Sequence, residues 1–157
     1  MSFENQKTNS MAEKRNQTDK PTSKIDQTPK VNGIGGIFFY SDQLEETRKW
    51  YEDNLGIEMN AWGSASFDSR DLKHPKQINS LQWKPFKKTD NYFSPSKKEF
   101  MINYTVQNLE GLVKKLKENG VTVLDNIETY DYGKFVHILD SEGNKIELWE
   151  PFPDIKK

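Results

Sequence analysis

The sequence predicts an α+β fold made of two tandem units, each a strand, a helix and three further strands (βαβββ). Three observations predict it. The spacing of apolar residues gives this order of elements twice between residues 31 and 152. The two halves also echo each other in sequence at a nearly constant offset. Residues 1–30, by contrast, contain too few apolar side chains to contribute to a core.

The first unit covers roughly residues 31–86. It opens with the apolar, aromatic run Ile34–Tyr40, which is typical of a buried strand. Asp42 and Glu45 have the spacing of a capping box and predict a helix over 43–54, which Gly56 would end. Three strands are expected to follow, at Ile57–Trp62, Ser64–Asp68 and Ile78–Phe86.

The second unit covers roughly residues 99–152 and follows a polar connector, residues 87–98. Phe100–Val106 predicts its first strand, and Asn108 is placed to cap the next helix. Apolar residues then recur at the helical spacing i, i+3, i+4, i+7, at Leu109, Leu112, Val113 and Leu116. Three more strands are expected, at Thr122–Thr129, Phe135–Leu139 and Lys145–Glu150.

The sequence echo between the halves is weak at each point but consistent. The pair Leu44-Glu45 matches Leu109-Glu110 at an offset of 65 residues. At an offset of 66, Trp83-Lys-Pro-Phe86 matches Trp149-Glu-Pro-Phe152. Together these matches indicate two copies of one structural unit.

Composition excludes several classes of function. The formal net charge of −1 does not suit a nucleic-acid surface, and the absence of cysteine excludes disulfides and thiolate metal sites. No apolar run approaches the roughly 20 residues of a membrane-spanning helix. The 157 residues suit one domain behind a disordered tail at 1–30, with no apolar segment of a signal peptide. We therefore expect a cytoplasmic protein that binds neither nucleic acid nor membrane.

Two local motifs carry a family resemblance. The first predicted helix ends in Trp50-Tyr51-Glu-Asp-Asn-Leu55-Gly56, and the last strand lies in Asp140-Ser-Glu-Gly-Asn-Lys-Ile-Glu-Leu-Trp-Glu-Pro151. Over residues 31–152 the chain resembles the glyoxalase/bleomycin resistance/dioxygenase, or vicinal-oxygen-chelate, superfamily. Within it, the opening Gly-Ile-Gly-Gly-Ile-Phe-Phe at 33–39 is similar to a bacterial subgroup named for the superfamily and not for a reaction.

The resemblance implies a curved sheet around a cavity that, in metal-dependent members, holds one divalent ion. Its ligands would come from the first and last strands of each unit. Carried over, those positions fall on Gly36, Met101 and Glu147, with Leu81 as the fourth, or Gln82 if the strand is shifted by one residue. Only Glu147, and Gln82 after such a shift, suits a hard cation. The sequence therefore predicts either no metal or one divalent ion in a degraded site.

The same registration predicts an aromatic pocket with a few polar groups. Its expected ligand-binding residues are Phe38, Tyr40, Met101, Asn103 and Trp149. Glu147 is the candidate catalytic group, as a base or a hydrogen-bond acceptor, because an inward carboxylate must be paired or used. His137, flanked by apolar residues on its strand, fits a structural role better than a catalytic one, and His74 lies in a polar loop.

Three functions remain open from the sequence. The first is a binding protein for a small, partly apolar or aromatic molecule, comparable to the antibiotic-resistance members, which the loss of metal ligands favours. The second is a metal-dependent lyase, isomerase or dioxygenase of the glyoxalase type. The third is a regulatory domain whose tail binds a partner. The resemblance also implies a homodimer as one arrangement, and the sequence leaves the oligomeric state open.

Overall fold

The α+β class and its two consecutive units are confirmed in the computed structural model of the protein, which describes residues 26–152. Two helices and seven strands follow one another along the chain. Their bounds are β1 Lys30–Ser41, α1 Leu44–Leu55, β2 Ala65–Arg70, β3 Ile78–Lys87, β4 Phe100–Gln107, α2 Leu109–Glu118, β5 Glu128–Tyr130, β6 Gly133–Leu139 and β7 Lys145–Pro151.

All seven strands form one mixed sheet in the order β2-β3-β1-β4-β7-β6-β5. Within each unit the first strand pairs in parallel with the last, β1 with β3 and β4 with β7. The two units are joined by antiparallel pairing of β1 with β4, from Lys30 opposite Gln107 to Phe39 opposite Phe100. The first strands of the two units therefore form the centre of the sheet.

Both helices pack on the same face of this sheet, which we call the outer face. On β1, Phe39 contacts Tyr51 of α1 and Trp83 of β3, with ring centroids 6.1 and 5.1 Å away. On β4, Tyr104 and Val106 point to this same face and join a buried apolar cluster beneath α2. That cluster comprises Val106, Leu109, Leu112, Val113, Val136, Ile138 and Leu148. The alternate residues of these strands point to the opposite face of the sheet, which we call the inner face.

The start of α2 is anchored from two directions. The Asn108 side chain accepts a hydrogen bond from the Gly111 amide at 3.1 Å, as the cap predicted from the sequence. Glu150 of β7 adds a carboxylate that accepts from the amides of Asn108 and Leu109 at 2.8 and 3.2 Å. A negative charge is favourable at a helix N-terminus, so the last strand stabilises the second helix directly.

The strand expected at Ile57–Trp62 does not form. Instead, the Asn60 side chain accepts hydrogen bonds from the amides of Trp62 and Ser64 at 2.9 and 3.2 Å, and Gly63 takes a positive φ of 66°. An asparagine that satisfies its own following amides favours a turn over a sheet. The first unit therefore has one strand fewer than predicted, and Trp62 is 80% exposed.

The strand expected at Thr122–Thr129 is reduced to β5 and one isolated bridge between Val123 and Ile138. Between them, the Asp125 carboxylate accepts a hydrogen bond from the His137 backbone amide at 2.8 Å, in place of a carbonyl from a paired strand. The capping box of the first helix is also wrong. The residue before α1 is Gln43, its side chain makes no cap, and Glu45 pairs with Arg48 at 2.7 Å.

The predicted tail lies mostly outside the described residues, since these begin at residue 26. Residues 26–28 run beside the start of α2, where Gln107 Nε2 donates to the carbonyls of Asp26 and Thr28 at 2.9 and 2.8 Å. Lys30 already belongs to β1. Within residues 26–152, neither helix has the length and apolar character needed to cross a membrane.

We expect Leu109→Ala to lower the free energy of unfolding by about 2–5 kcal/mol, because its fully buried side chain would leave a cavity beneath α2. Urea unfolding followed by circular dichroism measures the change. The matched control is Leu72→Ala, since Leu72 is 96% exposed and should change stability by less than about 0.5 kcal/mol. Equal effects of the two substitutions would contradict the packing described for α2.

Candidate functional site

A line of aligned residues crosses the inner face through five neighbouring strands. Register pairs Gln82 of β3 with Gly36 of β1, and Gly36 with Asn103 of β4. Asn103 is paired in turn with Glu147 of β7, and Glu147 with His137 of β6. Because paired residues point to the same side of a sheet, the polar side chains of this line converge near its centre.

Glu147 is the centre of the site. It is 4% exposed, and both of its carboxylate oxygens accept hydrogen bonds. Asn103 Nδ2 donates to Oε1 at 2.6 Å, while the Tyr92 hydroxyl donates to Oε2 at 2.5 Å. His137 Nε2 lies 2.9 Å from the same Oε2. A buried carboxylate with three such partners is stabilised in its charged form.

His137 lies between two carboxylates. Its Nε2 faces Glu147, and its Nδ1 lies 2.6 Å from Oδ2 of Asp125. Only the protonated ring can donate to both carboxylates at once. The histidine that the sequence favoured as structural thus belongs to the same hydrogen-bonded chain as Glu147.

Burial and hydrogen bonding act in opposite directions on these two residues. Burial alone would raise the pKa of Glu147, but hydrogen bonds from His137, Tyr92 and Asn103 outweigh it and hold the pKa below its usual value. Burial alone would lower the pKa of His137, but its hydrogen bonds to Glu147 and Asp125 hold the pKa above its usual value. Both shifts favour the ionic form of the pair.

The connector at 87–98 lies over this part of the inner face. Phe93 is fully buried, its ring stacks on Tyr40 with centroids 4.0 Å apart, and its amide donates to the Tyr40 hydroxyl at 2.9 Å. Lys145 Nζ donates to the Tyr92 carbonyl at 2.6 Å. The connector thus packs against the aromatic residues with which the sequence predicted a pocket.

Three of the predicted ligand-binding residues surround the connector. Phe38 and Met101 form a buried cluster with Phe93, and Tyr40 packs against it. They lie together on the inner face as the registration predicted, but they contact the protein's own phenylalanine. Whether they bind a ligand stays a prediction.

The other two are Asn103, which is aligned with Glu147, and Trp149, which lies two residues further along β7. A Cβ built on Gly35 would come within 2.2 Å of Asn103 Oδ1 and 2.9 Å of the Trp149 ring, so only glycine allows this close approach of β1. Asn103 Oδ1 is buried and has no hydrogen-bond partner among residues 26–152. Trp149 stacks on Phe135 at a centroid distance of 5.7 Å, which places an aromatic surface next to the carboxylate.

Sequence counting located part of this line. An offset of 65 residues makes Met101 the repeat equivalent of Gly36, while the residue directly opposite Gly36 in the sheet is Asn103. In the first unit, Gln82 and not Leu81 lies in the aligned line with Glu147. Gly36 and Met101 each lie eight residues before the start of their helix, as the repeat requires, and antiparallel pairing sets Gly36 opposite Asn103 and Phe38 opposite Met101. Tyr92 and Asp125 were missed, and their only signal was an aromatic pair within a polar connector and an acidic residue in a predicted strand.

The side chains present do not fit the divalent ion that the resemblance implies. Gly36 offers no donor, and the Gln82 amide is engaged by the hydroxyls of Ser66 and Ser80. Both oxygens of Glu147 already accept hydrogen bonds. Among residues 26–152, no three His, Cys, Asp or Glu side chains are grouped to hold a metal. The donor set is that of a hydrogen-bonded carboxylate.

The opposite pKa shifts predict a stability maximum. The raised pKa of His137 adds stability that is complete below the unfolded value near 6.5 and is lost as pH rises through the folded value. The lowered pKa of Glu147 adds stability that is present above about 4.5 and is lost as pH falls. We expect the urea midpoint to fall on either side of this window.

His137→Gln should remove the alkaline decline and cost about 1–3 kcal/mol below pH 6.5, because Glu147 loses a charged hydrogen bond. His74→Gln is the control, since His74 is the other histidine and its side chain is 73% exposed. An alkaline decline that persists in His137→Gln would contradict the assignment of this pH dependence to His137.

Comparison with known proteins agrees with this architecture. The family model of the Glyoxalase/Bleomycin resistance protein/Dioxygenase superfamily matches residues 33–148. Methylmalonyl-CoA epimerase from Mycobacterium tuberculosis has a similar fold, with 20% identity, a TM-score of 0.52 and coverage of 80% of this chain and 91% of that one. A single-residue variant of Streptomyces coelicolor methylmalonyl-CoA epimerase, in complex with 2-nitronate-propionyl-CoA, has 15% identity, a TM-score of 0.57 and coverage of 79% and 100%.

At these identities the two epimerase structures establish a shared fold and no shared reaction. Among curated proteins, none matches the sequence. The family match nevertheless spans most of the chain, from within β1 to within β7. The chain belongs to the glyoxalase/bleomycin resistance protein/dioxygenase superfamily.

Proposed function

We propose that this protein binds a small, partly apolar or aromatic molecule on the inner face of its sheet, with Glu147 accepting a hydrogen bond from the ligand. The observation that carries the proposal is a carboxylate, 4% exposed, set among aromatic rings. A buried charge is costly unless its partners compensate for lost water. Its place beside aromatic rings, with a few polar groups around it, supports a recognition role.

The surroundings of Glu147 indicate the chemistry of the ligand. Oε1 and Oε2 are acceptors, so the ligand must supply a donor such as a hydroxyl or an amide N–H. A ligand carboxylate placed at Glu147 would be repelled, because like charges at short range in a site of low dielectric are unfavourable. The rings of Phe135 and Trp149 on one side and of Phe86 on the other supply apolar contact.

The alternative, a metal-dependent lyase, isomerase or dioxygenase, receives less support from the donor set. Of the four positions carried over, Gly36 has no side-chain donor and Met101 offers only a soft thioether. Asn103, aligned with Glu147, already donates to it. The chain Asp125–His137–Glu147 could move a proton, and the Tyr92 hydroxyl lies beside it at Glu147. Binding is thus the function that the geometry favours, and cytoplasmic location, a homodimer and a partner-binding tail stay predictions.

A thermal-shift series tests the proposal. We expect neutral donor-bearing aromatics, such as benzyl alcohol and benzamide, to raise the melting temperature of the native chain, while benzoate does not. Glu147→Gln should weaken binding about tenfold, because a neutral acceptor makes a weaker hydrogen bond than a carboxylate. Glu142→Gln is the matched control, since Glu142 is exposed in the turn before β7.

The proposal fails if no compound in the series binds, or if Glu147→Gln and the native chain bind them all equally. Unfolding of each variant in urea, measured beside the native chain, separates a loss of binding from a loss of folding. Stronger binding of benzoate than of benzamide would also contradict it, because it would place a positive charge at the site.

Metal content tests the alternative separately. Elemental mass spectrometry of the untagged protein, purified without chelator, should find less than about 0.1 transition-metal ion per chain, because the aligned side chains offer too few free donors. Glu147→Ala should leave this value unchanged. About one ion per chain, lost in Glu147→Ala, would instead favour the metal-dependent enzyme.

A further inference from the structure

The Tyr92 side chain lies in a cradle that contacts its ring through Phe86 and His137 and its hydroxyl through Glu147. Its ring stacks on Phe86 with centroids 4.9 Å apart and planes 9° from parallel. The edge of the cradle is His137, whose ring is 5.8 Å away and perpendicular. Lys145 Nζ lies 5.2 Å from the ring centroid, and the hydroxyl donates to Glu147. Stacking, a cation and an acceptor thus converge on one phenol.

The phenol is held in its neutral form. Burial, followed by the negative charge of Glu147 and the hydrogen bond to it, raises the pKa of Tyr92 well above the usual range. A neutral phenol keeps its proton and can donate it to the carboxylate, which is the role the site requires of any occupant.

Tyr92 is nevertheless the accessible member of its segment. It retains 37% exposure, while the adjacent Phe93 is fully buried. Phe93 is held by the stacked Tyr40 ring and by the hydrogen bond from its amide to the Tyr40 hydroxyl. The connector is therefore anchored at Phe93, and rotation of the Tyr92 side chain alone would empty the cradle without unpacking the core.

We propose that the space filled by the Tyr92 ring is a subsite for the hydroxyphenyl group of a ligand, which enters by displacing that side chain. This inference rests on the proposed binding at Glu147 and names its ligand class, a neutral phenol. Exchanging one phenol for another keeps the Glu147 hydrogen bond, the Phe86 stack and the His137 contact. The free energy lost by turning Tyr92 out is therefore largely recovered from the ligand.

The direct test empties the cradle and compares two molecules that differ by one hydroxyl. Isothermal titration calorimetry at pH 7 measures 4-methylphenol and toluene against native protein, Tyr92→Ala and Tyr92→Ala/Glu147→Gln. Tyr92→Ala should bind 4-methylphenol at least about tenfold more tightly than toluene, because only 4-methylphenol has a hydroxyl that can donate to the charged Glu147 carboxylate. The native chain should bind it more weakly than Tyr92→Ala, and the double variant should lose the preference.

Tyr132→Ala is the matched control, because Tyr132 is 61% exposed and stacks on Tyr130, and it makes no hydrogen bond to Glu147. It should bind 4-methylphenol as the native chain does. In native protein with labelled tyrosines, the ring resonances of Tyr92 should shift on titration, as expected if the side chain leaves its cradle. Urea unfolding of Tyr92→Ala establishes that the variant is folded.

Three outcomes would overturn the inference. Equal or tighter binding of toluene by Tyr92→Ala would show a plain apolar cavity, since such cavities prefer apolar guests. Binding by Tyr92→Ala with none by the native chain would show that Tyr92 does not leave. Glu147-dependent binding of benzamide without any preference for 4-methylphenol would leave the proposed function standing and remove this ligand class. Failure of every compound on every variant would reject both.

Discussion

The charge on Glu147, buried at the centre of the sheet, is the interaction on which the inner face depends. A carboxylate removed from water must recover its hydrogen bonds from protein, and here Asn103, Tyr92 and His137 supply them. His137 is in turn balanced by Asp125. Each partner comes from a different part of the chain, so one charge fixes β4, β6, β7 and the connector relative to each other.

Pairing of β1 with β4 makes this convergence possible. Parallel pairing within each unit brings Gln82 beside Gly36 and Glu147 beside Asn103. The antiparallel pairing of β1 with β4 then sets Gly36 opposite Asn103, so the aligned residues of the two units form one continuous line across the sheet. Because Gly35 has no side chain, β1 can approach Asn103 and Trp149 closely. The duplicated architecture thus delivers its aligned positions to one place, whichever side chains occupy them.

What occupies those positions differs from the metal-binding pattern of the resemblance. In metal-dependent members a cation would join the ligands. Here hydrogen bonds join Glu147 to Asn103, to His137 and to Tyr92 of the connector. The apolar side of the site is completed by Phe93 on Tyr40, which keeps the connector in position. The superfamily fold is retained while the chemistry at its centre has become that of a hydrogen-bonded carboxylate among aromatic rings, in keeping with a fold that hosts many functions.

The sequence by itself determined the class of the fold, the duplication and the position of most elements, because apolar periodicity and glycine or asparagine stops are local signals. It also singled out Glu147 and Asn103 as polar residues on inward faces. It did not determine the turn at Asn60, where a side chain satisfies amides that a strand would have used. A local sequence pattern does not show whether these amides bond to the Asn60 side chain or to a neighbouring strand.

Only the tertiary structure decided the site. Asn103 lies opposite Gly36 because β1 and β4 pair antiparallel, whereas the repeat equivalent of Gly36, 65 residues further on, is Met101 opposite Phe38. Tyr92 lies 55 positions from Glu147 and His137 lies on another strand, so their meeting depends on sheet order and on how the connector folds back. Such contacts depend on register and packing across the sheet, which no local stretch of sequence specifies.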